Sequence, residues 1–237
     1  VITIEHDARL DLTRMGYAWL PRPLWFVALS MEPHWRQLRE DWNHLEPDRF
    51  LRDGATFRLR RYGRFSWDPA GDTLTPLPHE PYQQPADENP YAAGAARQFA
   101  PLLPATVQNP ILHALVRCTY DQLPVDAEPQ RWEVRIHQIR IVATPETPGL
   151  PAPEGIHQDG TDFLTLHMVG RHNVIGGETT IYDLARQPLF SYVMQDELDS
   201  VILQDPRVLH GVTPVHSADG RSVGTRDLLG IDFIKLS

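Results

Sequence analysis

Cysteine is almost missing from this chain: Cys118 is the only one in 237 residues. An intramolecular disulfide is therefore impossible, and so is a zinc site built from several thiolates. Long apolar runs are missing as well. The stretch Leu24-Trp25-Phe26-Val27-Ala28-Leu29 falls far short of the roughly 20 residues that cross a bilayer. It also lacks the basic start and small-residue exit of a signal peptide. Clusters of positive charge are missing: the 22 basic residues, mostly arginines, are scattered, and 31 acidic residues outweigh them to a net charge of −9. Nucleic-acid binding leans on clustered cations, so it is excluded. No glycine-rich loop enters a helix to cradle phosphate, and no serine or cysteine sits in a nucleophile elbow or beside a paired base. The expectation is a soluble, cytoplasmic protein whose partner is a small molecule, with no nucleic acid and no membrane.

What is present is patterned for a β-rich fold. The 41% apolar content is ordinary for a globular chain long enough to bury a sizeable core. Tyr17–Leu20 reads as a first strand. In residues 32–45, Trp35, Leu38, Trp42 and Leu45 fall on one helical face, with Pro33 suited to the first turn. Residues 56–66 and 73–77 flank Asp68-Pro69-Ala70-Gly71-Asp72, which is hairpin chemistry. Residues 104–123 carry Val107, Ile111, Leu115 and Val116 at helical intervals and predict a second helix. Trp132–Ala143 is rich in Val and Ile, as a long strand would be. Residues 144–154 hold four prolines in eleven positions and must be loop. Six short strands follow, at 163–169, 178–182, 190–194, 200–203, 208–212 and 225–236, a spacing that predicts a sandwich or barrel. The reading is one domain over 1–237: helical and strand support in 1–130 and the β core in 131–237.

Within that frame, His157-Gln158-Asp159-Gly160 is followed by His210 and then Arg226. Side chains two apart on an extended chain point the same way, so His157 and Asp159 can converge on one ion. Gly160 lets the chain turn directly after them. Two imidazoles and one carboxylate occupy one face of a metal and leave the other open, which suits non-haem Fe(II). A lone His-x-Asp pair is weak, since this composition yields roughly one by chance. The strand-like segments Gly176-Gly177-Glu178-Thr179-Thr180-Ile181-Tyr182, Val208-Leu209-His210-Gly211-Val212 and Thr225-Arg226-Asp227-Leu228-Leu229-Gly230-Ile231-Asp232-Phe233 add weight to it.

That ordered set resembles the Fe(II)/2-oxoglutarate dioxygenases. It is similar to the branch with bacterial free L-amino-acid hydroxylases of the isoleucine 4-hydroxylase kind and BsmA-type biofilm-stress proteins. The likeness is clearest from Arg131 onward and weaker around Arg58-Leu59-Arg60-Arg61-Tyr62-Gly63-Arg64-Phe65. It implies a double-stranded β-helix (jelly roll) with helices packed on one sheet. It also implies Fe(II) on His157, Asp159 and His210, and 2-oxoglutarate with its distal carboxylate on Arg226, O₂ being the other co-substrate. Many relatives carry Ser or Thr two positions after that arginine, where this chain has Leu228.

Other residues keep two readings. His210 could be a satisfied core histidine, and Arg226 a sheet-edge arginine with Arg221 as its rival. Gln138 and Arg140 alternate to one face and either line the cavity or form an internal network. Arg58 and Arg60 share a face and are either site residues or surface charge. For an amino-acid substrate, Arg60 or Arg140 would take the carboxylate and Asp162 the ammonium, with Phe163 or Trp67 along the side chain. Residues 77–90 and 144–154 are the candidate lid. The reading is a hydroxylase of a small substrate, a free L-amino acid or derivative. The rivals are a cupin-like metal hydrolase or isomerase on Zn²⁺ or Mn²⁺, and a non-catalytic regulator on the same fold.

Overall fold

The computed structural model describes residues 1–84, 94–125 and 130–236. Its centre is an eight-stranded sheet. The strands run in the order Tyr17–Leu20, Ser200–Leu203, Phe163–His172, Gly224–Lys235, Trp132–Ala143, Arg58–Asp68 and Glu46–Pro47, with Thr73–Pro76 paired to Arg58–Asp68. Opposite it lie a three-stranded sheet, Pro188–Tyr192, Thr179–Tyr182 and Leu209–Val212, and a two-stranded ribbon of Val174–Gly176 and Val215–Ser217. This is the expected jelly roll.

Alternation along the central strands decides what lies on each face. From Gly224–Lys235, Leu229, Ile231 and Phe233 point outward into an apolar layer shared with Leu12, Leu38, Ile111, Leu112 and Leu115 of the helices. The even residues Arg226, Leu228, Gly230 and Asp232 point inward. Trp132–Ala143 follows suit, with Val134 and Ile136 outward and His137, Ile139 and Ile141 inward. A second apolar cluster of Leu164, Met168, Ile181, Val201, Leu203 and Leu228 fills the space between the sheets.

Every strand expected from the pattern forms within a few residues of its expected ends. The expected helix at 32–45 ends at Glu40 and continues as a 3₁₀ turn over Asp41–His44. The one at 104–123 is split into Pro104–Val107 and Pro110–Tyr120, because Pro110 cannot donate within a helix and instead starts a new one, with Asn109 as its cap. A helix over Ala8–Met15 went unread, although Asp7 caps its start and Gly16 closes it in the left-handed region. No helix among the described residues is long and apolar enough to cross a membrane.

The proline-rich segment after Ala143 is tied to the inner sheet by an antiparallel bridge, Gly149 to Val215, with both hydrogen bonds at 2.9 Å. A Cβ at Gly149 would lie 2.5 Å from Ile141 Cγ2 and 2.6 Å from the Val142 carbonyl oxygen. Gly149→Ala is therefore expected to destabilise the fold by about 1–3 kcal/mol, as overpacking does. Urea unfolding checks this, and an unchanged midpoint would show that the segment is loosely held.

Candidate active site

His157 and His210 are backbone partners across an isolated bridge, N to O at 2.9 and 3.0 Å, and their ring centroids lie 4.3 Å apart. Asp159, two residues on, reaches the same point, and Gly160 then turns the chain at φ +76°. One ligand atom from each of the three residues lies within 4.8 Å of the others. Asp159 Oδ1 is 3.8 Å from His157 Nε2, and its Oδ2 is 3.5 Å from His210 Nε2. The Nδ1–H of His157 donates to the Gly155 carbonyl at 2.9 Å, which turns Nε2 toward the cluster. Burial alone would lower His157, but the carboxylates of Asp159 and Glu154 raise it, so a metal takes the place of a proton there. Burial, then repulsion from His157, pushes His210 down to about 4, so its imidazole is neutral and able to ligate. Burial alone would push Asp159 up, but its histidine neighbours, His157 foremost, and the Gln84 amide hold it below the ordinary carboxylate range.

The ligand turn is held from beneath by Asp205. Its carboxylate accepts from the backbone N–H groups of Asp159, Gly160 and Thr161 at 2.7–3.1 Å. Burial and the charge of Asp159 push Asp205 up to about 7, while the three N–H donors oppose that shift.

These groups open into a cavity of about 110 Å³ between the sheets. At one end stands Arg226, with no exposure to solvent and with Nε, Nη1 and Nη2 all lacking a hydrogen-bond partner among the described residues. Burial, then the charge of Arg171, pushes it down to about 10. The buried Tyr192 lies within electrostatic reach of it, and Thr179 is the cross-strand partner of Tyr192. A second group of cations lines the side. Arg58 pairs with the buried Asp48 at 2.7 Å. Arg60 donates to His137 Nδ1 at 2.6 Å, and the other ring nitrogen, His137 Nε2, then donates to Asp232 at 3.0 Å. Arg97 donates to Gln84 Oε1 at 2.5 Å, and the Gln84 amide donates to Asp159, to its carbonyl at 3.0 Å and to Oδ1 at 3.2 Å. Burial pushes Arg60 down to about 10 and lowers Arg97 as well.

A profile of the family described as 2OG-Fe dioxygenase matches residues 39–232, most of the chain. The chain belongs to that family. It is 26% identical to the 3(1)-hydroxy-L-isoleucine 4-dioxygenase of Pantoea ananatis over 241 residues, covering 94% of each chain. It is 24% identical to the L-isoleucine-4-hydroxylase of Bacillus thuringiensis over 202 residues, covering 83% of this chain and 81% of the relative. Among solved structures, IDO from Bacillus thuringiensis superposes with a TM-score of 0.81 at 20% identity, covering 99% of this chain and all of that one. A bsmA homolog from Methylobium petroleophilum PM1 gives 0.79 at 28% identity, covering 96% and 91%. The protein is thus a 2OG-Fe oxygenase, an enzyme whose family uses Fe(II), 2-oxoglutarate and O₂.

The residues fit those groups. A facial set of two neutral-capable imidazoles and a carboxylate suits Fe(II). A desolvated guanidinium with every donor unused calls for an anion, and a carboxylate matches its planar fork.

Several residues singled out in the sequence line this cavity of the dioxygenase together, among them Arg60, His157, Asp159, His210 and Arg226. Arg58, Pro151, Ala152 and Glu154 do so too, so the 144–154 segment does border the site. From the other candidate lid segment, Tyr82 and Gln84 reach the cavity, and residues 85–90 lie outside the described ones. Gln138 and Arg140 do not reach it. They alternate to one face, but it is the outward face. Gln138 is buried on the helix side, and Arg140 makes a two-pronged pair with Asp227 at 2.7 and 2.6 Å. Asp162 also lies away from the cavity, accepting from the Lys235 N–H at 2.7 Å. Phe163 and Trp67 belong to the outer apolar layer. Arg221 is exposed in its turn.

Sequence reasoning missed Asp205, Arg97, Gln84, Glu154 and Asp232. Asp232 had a signal: it shares the parity of Arg226 on one strand. Asp205 had none, since it acts through backbone amides about 45 residues away.

Groups that orient a metal ligand commonly matter 10–100-fold in affinity. Asp205→Ala, which removes the acceptor of three backbone N–H groups, should weaken Fe(II) or Mn(II) binding by about that factor. An anaerobic metal titration reads it, and wild-type affinity in the variant would remove Asp205 from the site.

Proposed function

We propose that this dioxygenase hydroxylates a small free L-amino acid or close derivative at an aliphatic carbon, with Fe(II) held by His157, Asp159 and His210 and the distal carboxylate of 2-oxoglutarate on Arg226. The observation that carries the site assignment is Arg226 itself. A guanidinium with no solvent exposure and three nitrogens unpaired among the described residues, lining the cavity that holds the His-Asp-His set, fits a carboxylate. Leu228 supplies no hydroxyl, and the buried Tyr192 hydroxyl near Arg226 is the candidate for that part. When bound, iron and 2-oxoglutarate supply the oxidising chemistry of the family. The protein's part is to orient and to exclude water. Leu164, Leu166, Ile139 and Leu228 give an apolar wall beside the metal set.

The substrate reading rests on two supports. Both curated relatives, matched over more than four-fifths of the chain, act on isoleucine or its hydroxylated form. The cavity is small and carries Arg60 as a buried cation for a carboxylate. The net charge of −9 speaks against nucleic acid as a partner. The single cysteine, buried with its thiol on the Ile2 carbonyl, suits a reducing cytoplasm.

Succinate release from 2-oxoglutarate, measured across free amino acids, dipeptides and longer peptides, tests the substrate class. Stimulation by free aliphatic amino acids is expected, and stimulation by peptides alone would reject the reading.

The co-substrate seat is tested by the charge-transfer band of the anaerobic Fe(II)–2-oxoglutarate complex. Removing a buried charge-assisted contact costs on the order of 2–5 kcal/mol. Arg226→Ala should therefore raise the 2-oxoglutarate concentration needed for the band steeply, with Fe(II) binding nearly intact. Tyr192→Phe should raise it by about tenfold, the value of one hydrogen bond to a charged group. Arg221→Ala should leave it unchanged, and an equal effect from Arg221→Ala would reverse the assignment.

A further inference from the structure

Two guanidiniums beside the metal set make no direct ion pair among the described residues. Arg60 and Arg97 are about nine-tenths buried or more, at 6% and 5% exposure, and the Nε of each has no hydrogen-bond partner among the described residues. Their neighbour Arg58 is paired with Asp48, whereas Arg60 bonds to a histidine and Arg97 to an amide. Both stack on the same two rings. Arg60 Cζ stands 3.8 Å from the Phe99 centroid and 5.7 Å from Tyr82, and Arg97 Cζ stands 5.5 Å and 4.8 Å from them. Two like charges held side by side away from water repel, and such burial persists where an anion completes it. Glu154 lines the same cavity, within electrostatic reach of Arg97. Its side chain is only 10% exposed, and its one ion-pair contact among the described residues is Oε1 to His157 Nε2 at 3.2 Å. That nitrogen is the one a metal would take. Metal binding therefore leaves the Glu154 carboxylate in the cavity with no direct partner among the described residues.

We infer that Arg60 and Arg97 form a clamp for the α-carboxylate of the substrate and that Glu154 accepts its α-ammonium. This deepens the amino-acid reading above and rests on it. The chemistry selects a zwitterion with both groups free: an amide has lost the anion the clamp needs, and a 2-hydroxy acid has lost the cation that Glu154 needs. The inference separates the two carboxylates in the cavity by position, with 2-oxoglutarate on Arg226 and the substrate on the arginine pair.

The test uses the full chain loaded anaerobically with Fe(II) and 2-oxoglutarate, reading the shift of the charge-transfer band as L-isoleucine, its 2-hydroxy-acid analogue or its carboxamide is added. Wild type should respond to the amino acid at far lower concentration than to either analogue. Arg97→Gln should raise the amino-acid requirement by at least about thirtyfold, with the band itself still formed. Glu154→Gln should lose the preference for amino acid over hydroxy acid while binding the hydroxy acid as wild type does. A general loss of fold would weaken both alike, so the change of preference distinguishes recognition from damage. A Glu154→Gln variant that keeps the preference, or that binds Fe(II) more weakly because Glu154 is a ligand, overturns the inference, as does an Arg97→Gln variant with wild-type response. If none of the three compounds shifts the wild-type band, the amino-acid reading falls and this inference with it. If wild type responds and the variants respond identically, only this inference falls.

Discussion

The strand Gly224–Lys235 is covered on both faces, and the rest of the molecule is arranged around that constraint. Nearly all of its residues are buried. It pairs along its length with Trp132–Ala143 on one side and Phe163–His172 on the other. Because side chains alternate, Leu229, Ile231 and Phe233 on one face seal against the helix layer while the other face carries Arg226 and Asp232 into the interior. A slip of one residue would exchange the two faces, placing charges among Trp132 and Leu112 and aliphatics in the cavity. The helix layer is what makes that slip prohibitive, so the catalytic geometry depends on packing some distance from it.

Electrostatics inside the cavity run against stability. Arg226, Arg60 and Arg97 are desolvated cations without carboxylate partners among the described residues, and Asp232 is pushed well above the ordinary carboxylate range by burial and the charge of Asp159. Each is a burden on the ligand-free fold. Ligands that bind only the folded state return that energy, about 2.7 kcal/mol at a hundredfold excess over Kd. The protein therefore couples its own stability to the presence of iron and small acids.

Much of this was legible in the sequence, and the misses have physical reasons. Strands announced themselves through alternation and turn chemistry, and His157, Asp159, His210 and Arg226 through their order, since each is carried by a strand or the turn beside one. Gln138 and Arg140 do share a face, but it is the outward one, because alternation fixes relative orientation and not which side is the interior. The neighbouring His137 sat on the correct parity. Arg97, Gln84 and Glu154 come from irregular segments, where no period says where a side chain points. Residues 8–15 carry too few apolar positions to stand out, and their caps were the only available signal.

The hydrogen-bond chain from Arg97 through Gln84 to Asp159 joins the arginine pair to a residue of the metal set. Charged positions in this cavity are consequently poor places for natural drift: a change at one end disturbs the other. The aliphatic wall of Ile139, Leu164 and Leu166 has no such link. Variation in which hydrocarbon chain is accepted can accumulate there, one methyl at a time, while the polar frame stays fixed.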